Sequence, residues 1–270
     1  MLKRIQKNLR LFFLYSRFTL KTTLQARAGI VLFLAGKLFR FLFLLMFIFL
    51  LFGKTKVIQG YSLNQALIFY LTFNVIDSLT QILFREVYRF RPLVMSGSFD
   101  MVLLKPMHPF TKILFGGIDY IDILFVIPYF CLVIVFFLKT IPFPYSFFTI
   151  FSSVSIYLLF ILNSLVLACA FHITVLALGI ITTEVDHTIM IYRDLIGLGR
   201  FPMEIYKEPI RSFFTFAIPV GVMMSFPTKA LFGLLTGPFI WYAWGISLSG
   251  LVFSLILWNY ALHKYQSWGG

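Results

Sequence analysis

Residues Val31–Phe52 read VLFLAGKLFRFLFLLMFIFLLF, an apolar run interrupted only by Lys37 and Arg40. Such a run meets the roughly 20 residues that a helix needs to cross a hydrocarbon core. It does not alternate apolar with polar, as the wall of a polar-lumen barrel would. The segment therefore reads as a transmembrane helix. Both charges lie in its first half, where long side chains are expected to snorkel to the nearer membrane surface.

The rest of the chain agrees with that reading. The hydrophobic fraction is 60%, the mean hydropathy is +0.92, and 35 of 270 residues are Phe. A soluble domain uses roughly 45–50% apolar residues and must keep a polar surface. The class is all-α and polytopic, in a membrane. Lys and Arg outnumber Asp and Glu by 23 to 10, for a net charge of +13. In a soluble protein that excess suggests nucleic acid. In a membrane protein it reports basic ends and loops facing anionic lipid, so lipid is the expected partner and nucleic acid is not. Cys131 and Cys169 both sit in apolar runs and form no metal spacing. No secretory leader is expected, because the first long apolar run comes late and lacks a small-residue cleavage site.

Upstream of the opening run, residues 1–28 form a unit of their own. Lys3, Lys7, Arg10, Arg17 and Lys21 fall on one helical stripe. Ile5, Leu9, Phe12, Phe13, Leu20 and Leu24 fall largely opposite, with Leu14 intruding on the basic side. This predicts an amphipathic helix lying along the cytoplasmic leaflet. Residues 29–270 make up the membrane domain. A second span is predicted over Leu63–Phe84, a third over Tyr120–Leu138, a fourth from Phe147 to about Leu178, and a last over Phe239–Leu262. A tight outer turn at Ile141–Pro144 joins spans three and four. Hydropathy is ambiguous between Ile180 and Leu198, where Glu184, Asp186, His187, Arg193 and Asp194 interrupt the run, and again over Ser212–Gly233, which carries Pro219 and Pro227. Periodicity alone allows five, six or seven spans. Seven Lys/Arg precede the first span, and Arg85, Arg89, Arg91, Lys105 and Lys112 cluster in or beside the loop after the second. That loop and the N-terminus are therefore expected on the cytoplasmic side.

Two strings resemble nucleotide motifs and fail on context. Gly53-Lys54-Thr55 lacks the glycine that a phosphate loop needs at Ile48 and follows a membrane helix instead of a strand. Leu248-Ser249-Gly250 lies inside an apolar span. Ionisable groups within or near the spans are candidate translocation-path residues: Asp77, Asp119, Asp122, His172, Glu184 and Asp186. The simpler reading makes Asp119 and Asp122 the cytoplasmic edge of the third span, and Glu184 and Asp186 the anion-favouring start of a helix. No zinc-protease or nucleophile-elbow motif is present, and neither a catalytic residue nor a metal site is expected.

The loop Arg85–Pro109, REVYRFRPLVMSGSFDMVLLKPMHP, holds a turn at Ser96-Gly97-Ser98, an apolar patch at Met101–Leu104 and a stop at Lys105-Pro106. This predicts a turn followed by a short surface helix rigidly joined to two spans. Its order Ser96-Gly97, Asp100, Leu103-Leu104-Lys105-Pro106 resembles a segment of ABC-2-type transporter permeases. Phe201-Pro202, Ile205-Tyr206 and Pro209 resemble the same family's external stretch after the fifth span. Pro219 and Pro227, followed by Leu231-Phe232-Gly233, resemble its approach to the last span. Ile180–Arg193 is more acidic than the family pattern.

The resemblance implies six transmembrane helices in the inner membrane, both termini cytoplasmic, and external re-entrant half-helices over 201–232 turning at Pro202, Pro209, Pro219 and Pro227. It implies that 85–109 is a cytoplasmic coupling loop, with Ser96, Gly97, Asp100, Leu103, Leu104, Lys105 and Pro106 meeting an ATPase. The chain would then be the permease subunit of an ATP-driven exporter, paired with a second permease. It would carry no cofactor itself, with ATP and magnesium on separate cytoplasmic subunits. The alternative is an ion-coupled carrier or an intramembrane enzyme using Asp119 and Asp122. A third possibility is a membrane anchor that transports nothing.

Overall fold

A computed structural model describes residues 2–55, 57–141, 146–182 and 185–266, and among these residues it is all helical, with no strand. Five of the helices are long and apolar enough to cross a membrane. They are α2 (Arg27–Lys54), α3 (Leu63–Phe84), α7 (Tyr120–Leu138), α8 (Phe147–Thr182) and α13 (Gly237–Lys264). The other helices are α1 (Leu2–Gln25), α4 (Phe90–Met95), α5 (Ser98–Leu103), α6 (Phe110–Ile113), α9 (Val185–Gly197), α10 (Ile210–Ser212), α11 (Val220–Met224) and α12 (Phe226–Leu231). The expected turn at Pro142–Pro144, and Glu184, lie outside the described residues.

Local chemistry sets the ends of the long helices. Ser62 opens α3 with a capping box: its Oγ accepts from the Gln65 amide, and Gln65 Oε1 accepts from the Ser62 amide at 2.9 Å. Asp119 caps α7 by accepting from the Ile121 amide at 3.1 Å. Ala26 leaves helical geometry (φ −89°, ψ 56°) and separates α1 from α2.

Two helix pairs form the frame: α3 packs against α7, and α8 against α13. Lipid tails are as apolar as side chains, so such pairs depend on close approach and on hydrogen bonds. Along α13 the buried face runs Ala243, Ser247, Ser254, Trp258 and Ala261. Its small members let α8 come close. Asn163 of α8 donates to the Ala243 carbonyl at 3.2 Å and accepts from Ser247 Oγ at 3.1 Å. Thr72 of α3 and Tyr157 of α8 share a hydrogen bond of 3.2 Å, which joins the two pairs. By contrast α2 is peripheral, and Ile48 is its one buried residue.

One end of the bundle carries α1, the segment 85–119 and the C-terminal end of α13; we call it the basic end. Here α1 lies across the connection into α7. Ser16 Oγ accepts from the Ile118 amide at 3.2 Å, Lys7 Nζ donates to the Pro106 carbonyl at 3.3 Å, and Lys112 Nζ stands 5.1 Å from the centre of the Tyr15 ring. Leu9, Phe13 and Leu24 of α1 remain exposed, as an interfacial helix requires.

Between Ile180 and Leu198, where hydropathy is ambiguous, the described residues form no long apolar helix. Instead α8 runs on to Thr182, and α9 has only 13 residues. The His172 ring sits 4.9 Å from Phe84, so α8 has already reached the basic end of α3 at that point. Its remaining residues project about 15 Å further at the helical rise. From there α9 returns along α8, with Tyr192 packed 4.7 Å from the His172 ring. A 3-10 turn, Leu198–Arg200, follows and brings Arg200 over Phe73, midway along α3. The chain then reaches the far end, where Glu204 meets Tyr61 just ahead of α3. It turns inward again through α11 and outward through α12. Both short helices are almost entirely buried. The Met223 carbonyl accepts from Ser164 Oγ of α8 at 2.6 Å, and Phe232 meets Phe69 and Phe137 on the way out.

Candidate functional site

At the basic end, α3 continues through a 3-10 turn (Arg85–Arg89) into α4, and α4 turns at Ser96-Gly97 into α5. Gly97 adopts φ 68°, a left-handed conformation that a residue with a Cβ resists. Ser96 Oγ bonds Ser98 Oγ at 2.8 Å and tightens the same turn. The result is a short helix of fixed direction. It is held from beneath by Phe99, fully buried among the rings of Phe90, Trp258 and Tyr265. Asp100 Oδ1 accepts from the Tyr265 hydroxyl at 2.9 Å, which ties α5 to the end of α13. Burial, and then the bond to Asp100, push the Tyr265 phenol up to about 12. Pro106 ends the segment, and its carbonyl meets Lys7 of α1.

The apolar patch expected at Met101–Leu104 divides in two. Val102 is buried and Leu103 half-buried against the core, while Met101 (65% exposed) and Leu104 (79% exposed) point outward. Helical spacing puts 101 and 104 on one face and turns 102 inward. Met95 adds a third exposed apolar side chain beside them.

A second constellation lies inside the helix frame. Lys37 of α2 does not snorkel. Its side chain is 10% exposed and turns inward to pair with Asp122 of α7, which is fully buried. Asp119 caps α7 and Asp122 lies in its first turn, so both stand at that helix's edge, with Asp122 fully buried there. Arg40 faces Asp77 at 3.7 Å, and Arg85 faces Asp119 at 3.4 Å. Each of these three acids has a base beside it. That arrangement neutralises charge at a depth where isolated charge is costly. His172 bonds the Ala168 carbonyl through Nδ1 at 2.8 Å and is packed by Phe84 and Tyr192. Asp186 lies outside this group and pairs with Arg91 at 2.8 Å, joining α9 to α4.

Beside the pairs is a cavity of about 580 Å³, walled by α2, α3, α7, α9 and the turn after α9. Lys37, Arg40, Arg85, Arg193 and Arg200 line it, against Asp77, Asp122 and Asp194. Its charge balance is positive. The sequence reading did not count Arg193 or Arg200 among the candidate site residues. Their only sequence signal was the failure of the fifth apolar run.

At the far end, Pro202 is buried ahead of a 3-10 turn (Met203–Ile205), Pro209 is exposed ahead of α10, Pro219 precedes α11, and Pro227 lies in the first turn of α12. Glu204 pairs with Lys229 of α12. Burial raises the Glu204 carboxyl, but the hydrogen bond and charge of Lys229 outweigh it and hold that carboxyl below its usual range.

No curated protein and no solved structure matches the chain significantly. The sequence model described as ABC-2 family transporter protein does match it, over residues 38–269. That range takes in most of α2 and everything after it. With five apolar helices fit to cross a membrane, the chain is an integral, multi-pass membrane protein, and it belongs to the ABC-2 family of transporter proteins.

Proposed function

We propose that the chain is the membrane-embedded permease subunit of an ATP-driven exporter in the inner membrane, with ATP and magnesium held by separate cytoplasmic subunits. The observation that carries this is the segment Ser98–Leu103. Its buried side is locked to α4 and α13 through Phe99 and Asp100, and its outer side presents Met101 and Leu104. An apolar pair held rigidly on a basic surface suits the docking of another protein. ATP binding shifts a permease between states only if such a contact differs in energy between them. Ser96, Gly97, Asp100, Leu103, Lys105 and Pro106 then shape and anchor the element, and Met101 and Leu104 meet the partner.

In this reading the chain crosses six times. The sixth crossing is the broken path from α9 through the turn Leu198–Arg200. Its interruptions are tolerable because α3, α8 and α11 cover them. Burial of α11 and α12 against α3 and α8 supports a re-entrant pair within 201–232. The clustering of basic residues supports a cytoplasmic N-terminus and coupling loop, with the C-terminus on the same side. A cavity walled by one nearly unpacked helix, α2, supports assembly with a second permease, identical or paralogous. The ion-coupled alternative gains nothing from Asp119 and Asp122, since each carboxylate is engaged by a base.

The test is to purify the tagged permease from its native membrane, as wild type and as Met101→Glu/Leu104→Glu. We expect the wild type to bring with it an ATP-hydrolysing subunit. The variant should lose that hydrolysis while remaining monodisperse. Full hydrolysis in the variant would refute this segment as the coupling element. An absence of hydrolysis in the wild type would refute the ATP-driven reading.

A further inference from the structure

We propose that the cavity between α2, α3 and α9 binds an anionic head group, phosphate or carboxylate in type, with Arg200 as its anchor. This rests on the permease reading above and names the substrate class for it. Of the five bases that line the cavity, Lys37, Arg40 and Arg85 each have a carboxylate beside them. Arg200 and Arg193 have none within 4 Å among the described residues. Arg200 is only partly exposed, and its guanidinium lies 5.5 Å from the centre of the Phe73 ring, midway along a helix that crosses the bilayer. An unpaired cation at that depth is costly and is a functional site by default.

Its surroundings specify the ligand further. The Phe73 ring beside the guanidinium takes up none of its hydrogen-bond donors, and a guanidinium edge matches phosphate or carboxylate with two parallel hydrogen bonds. The volume, about 580 Å³, falls within the roughly 300–1,000 Å³ typical of small-molecule sites. Leu32 and Met190, both lining the cavity, are strongly exposed and apolar. A head group drawn to Arg200 would therefore leave an attached hydrocarbon tail against apolar side chains in the bilayer. The same head chemistry could also arrive on a free anion from water.

The experiment uses the full-length permease, without any ATPase, in phosphatidylcholine nanodiscs. The probe is radiolabelled dodecyl phosphate, followed by scintillation proximity. Unlabelled dodecylphosphocholine and inorganic phosphate serve as competitors. We expect saturable binding to the wild type. Arg200→Gln should weaken it roughly tenfold or more, the usual scale for losing a charged hydrogen-bond partner. Arg200→Lys keeps the charge but loses the paired hydrogen bonds, so it should bind between wild type and Arg200→Gln, and Arg193→Gln should weaken binding less than Arg200→Gln does. Competition by inorganic phosphate at concentrations like those of the probe assigns the site to a free anion. Competition by amphiphilic phosphate alone assigns it to a membrane amphiphile.

The proposal is overturned if the wild type shows no saturable binding, if Arg200→Gln binds as well as wild type, or if dodecylphosphocholine competes equally. Should Arg200→Gln prove aggregated on size exclusion, Arg193→Gln and Arg200→Lys decide the matter by the same readout. Because no ATPase is present, absent binding leaves the permease reading standing. Loss of the ATPase assay, in turn, leaves a measured anion site standing.

Discussion

Replacing Lys37 with Met removes the partner of a carboxylate that water does not reach. Asp122 is 0% exposed, and the Lys37 side chain is 10% exposed. Breaking a buried ion pair from one side typically costs about 3–5 kcal/mol, because the remaining charge is stranded, while replacing both members with apolar groups is often close to neutral. Arg40, three residues further along α2, is engaged by Asp77. We therefore expect Lys37→Met to lose about 3–5 kcal/mol and Lys37→Met/Asp122→Leu to recover about 2–3 kcal/mol of it. Asp122→Asn alone should fall between them, since it leaves a neutral side chain that Lys37 can still meet. The assay is a double-mutant cycle on equilibrium unfolding in mixed micelles of a mild detergent and dodecyl sulfate. A loss under about 1 kcal/mol for Lys37→Met, or a double variant no better than that single one, would refute the inward pair. Lys37 would then be a surface-seeking lysine after all.

Three further outcomes are expected. In Gly199→Ala the new Cβ would stand 2.5 Å from Met224 Cγ and 2.6 Å from its Cβ. This should cost about 1–3 kcal/mol, read as a lower melting temperature, with Met224→Ala in the same chain restoring part of it. Tyr265→Phe should loosen α5, seen as faster hydrogen exchange over Ser98–Leu103 with little change elsewhere. The phenol is raised from 10 to about 12, so the wild-type tie is complete below pH 10 and is lost as the pH rises through about 12, and the exchange of Tyr265→Phe should lack that dependence. Glu204 is held below its usual 4.5 by Lys229. Its contribution to stability is present above that value and lost as the pH falls through the depressed one, so Glu204→Gln should flatten the acid limb of a melting-temperature profile.

Long, charge-poor runs were legible from sequence alone. The third predicted span, Tyr120–Leu138, coincides with α7, and the second, Leu63–Phe84, with α3. Such helices owe their limits to local composition and caps. The architecture of residues 96–106 was legible for the same reason, since Ser96-Gly97-Ser98 and Pro106 act on their own backbone. What sequence left open was set by distant partners. Lys37 turns inward because of Asp122, and Asp186 is compensated by Arg91. In one dimension each is a charge that spoils an apolar run. The division of Met101–Leu104 into an outer pair and an inner pair likewise depends on Phe99 finding Trp258 and Tyr265. Arg200 was missed because its significance is a lack of partners, which no pattern of neighbours along the chain can express.

The short, charged helix α9 bears on how the protein is made. On insertion scales a charged residue near a helix centre costs about 2.5–3.5 kcal/mol, and α9 is 13 residues long with Asp186, Arg193 and Asp194 among them. Such a segment has no reason to leave the translocation channel for lipid by itself. Its seat is made by α4 and α8, which are synthesised before it, and by α11, which follows. The ribosome must therefore have delivered residues well beyond Gly197 before this part of the chain can settle. A nascent chain halted there would hold α8 in the bilayer with α9 still outside. Folding of α9 and of the short helices that follow it becomes a post-insertion event, exposed until then to membrane proteases that survey unassembled helices.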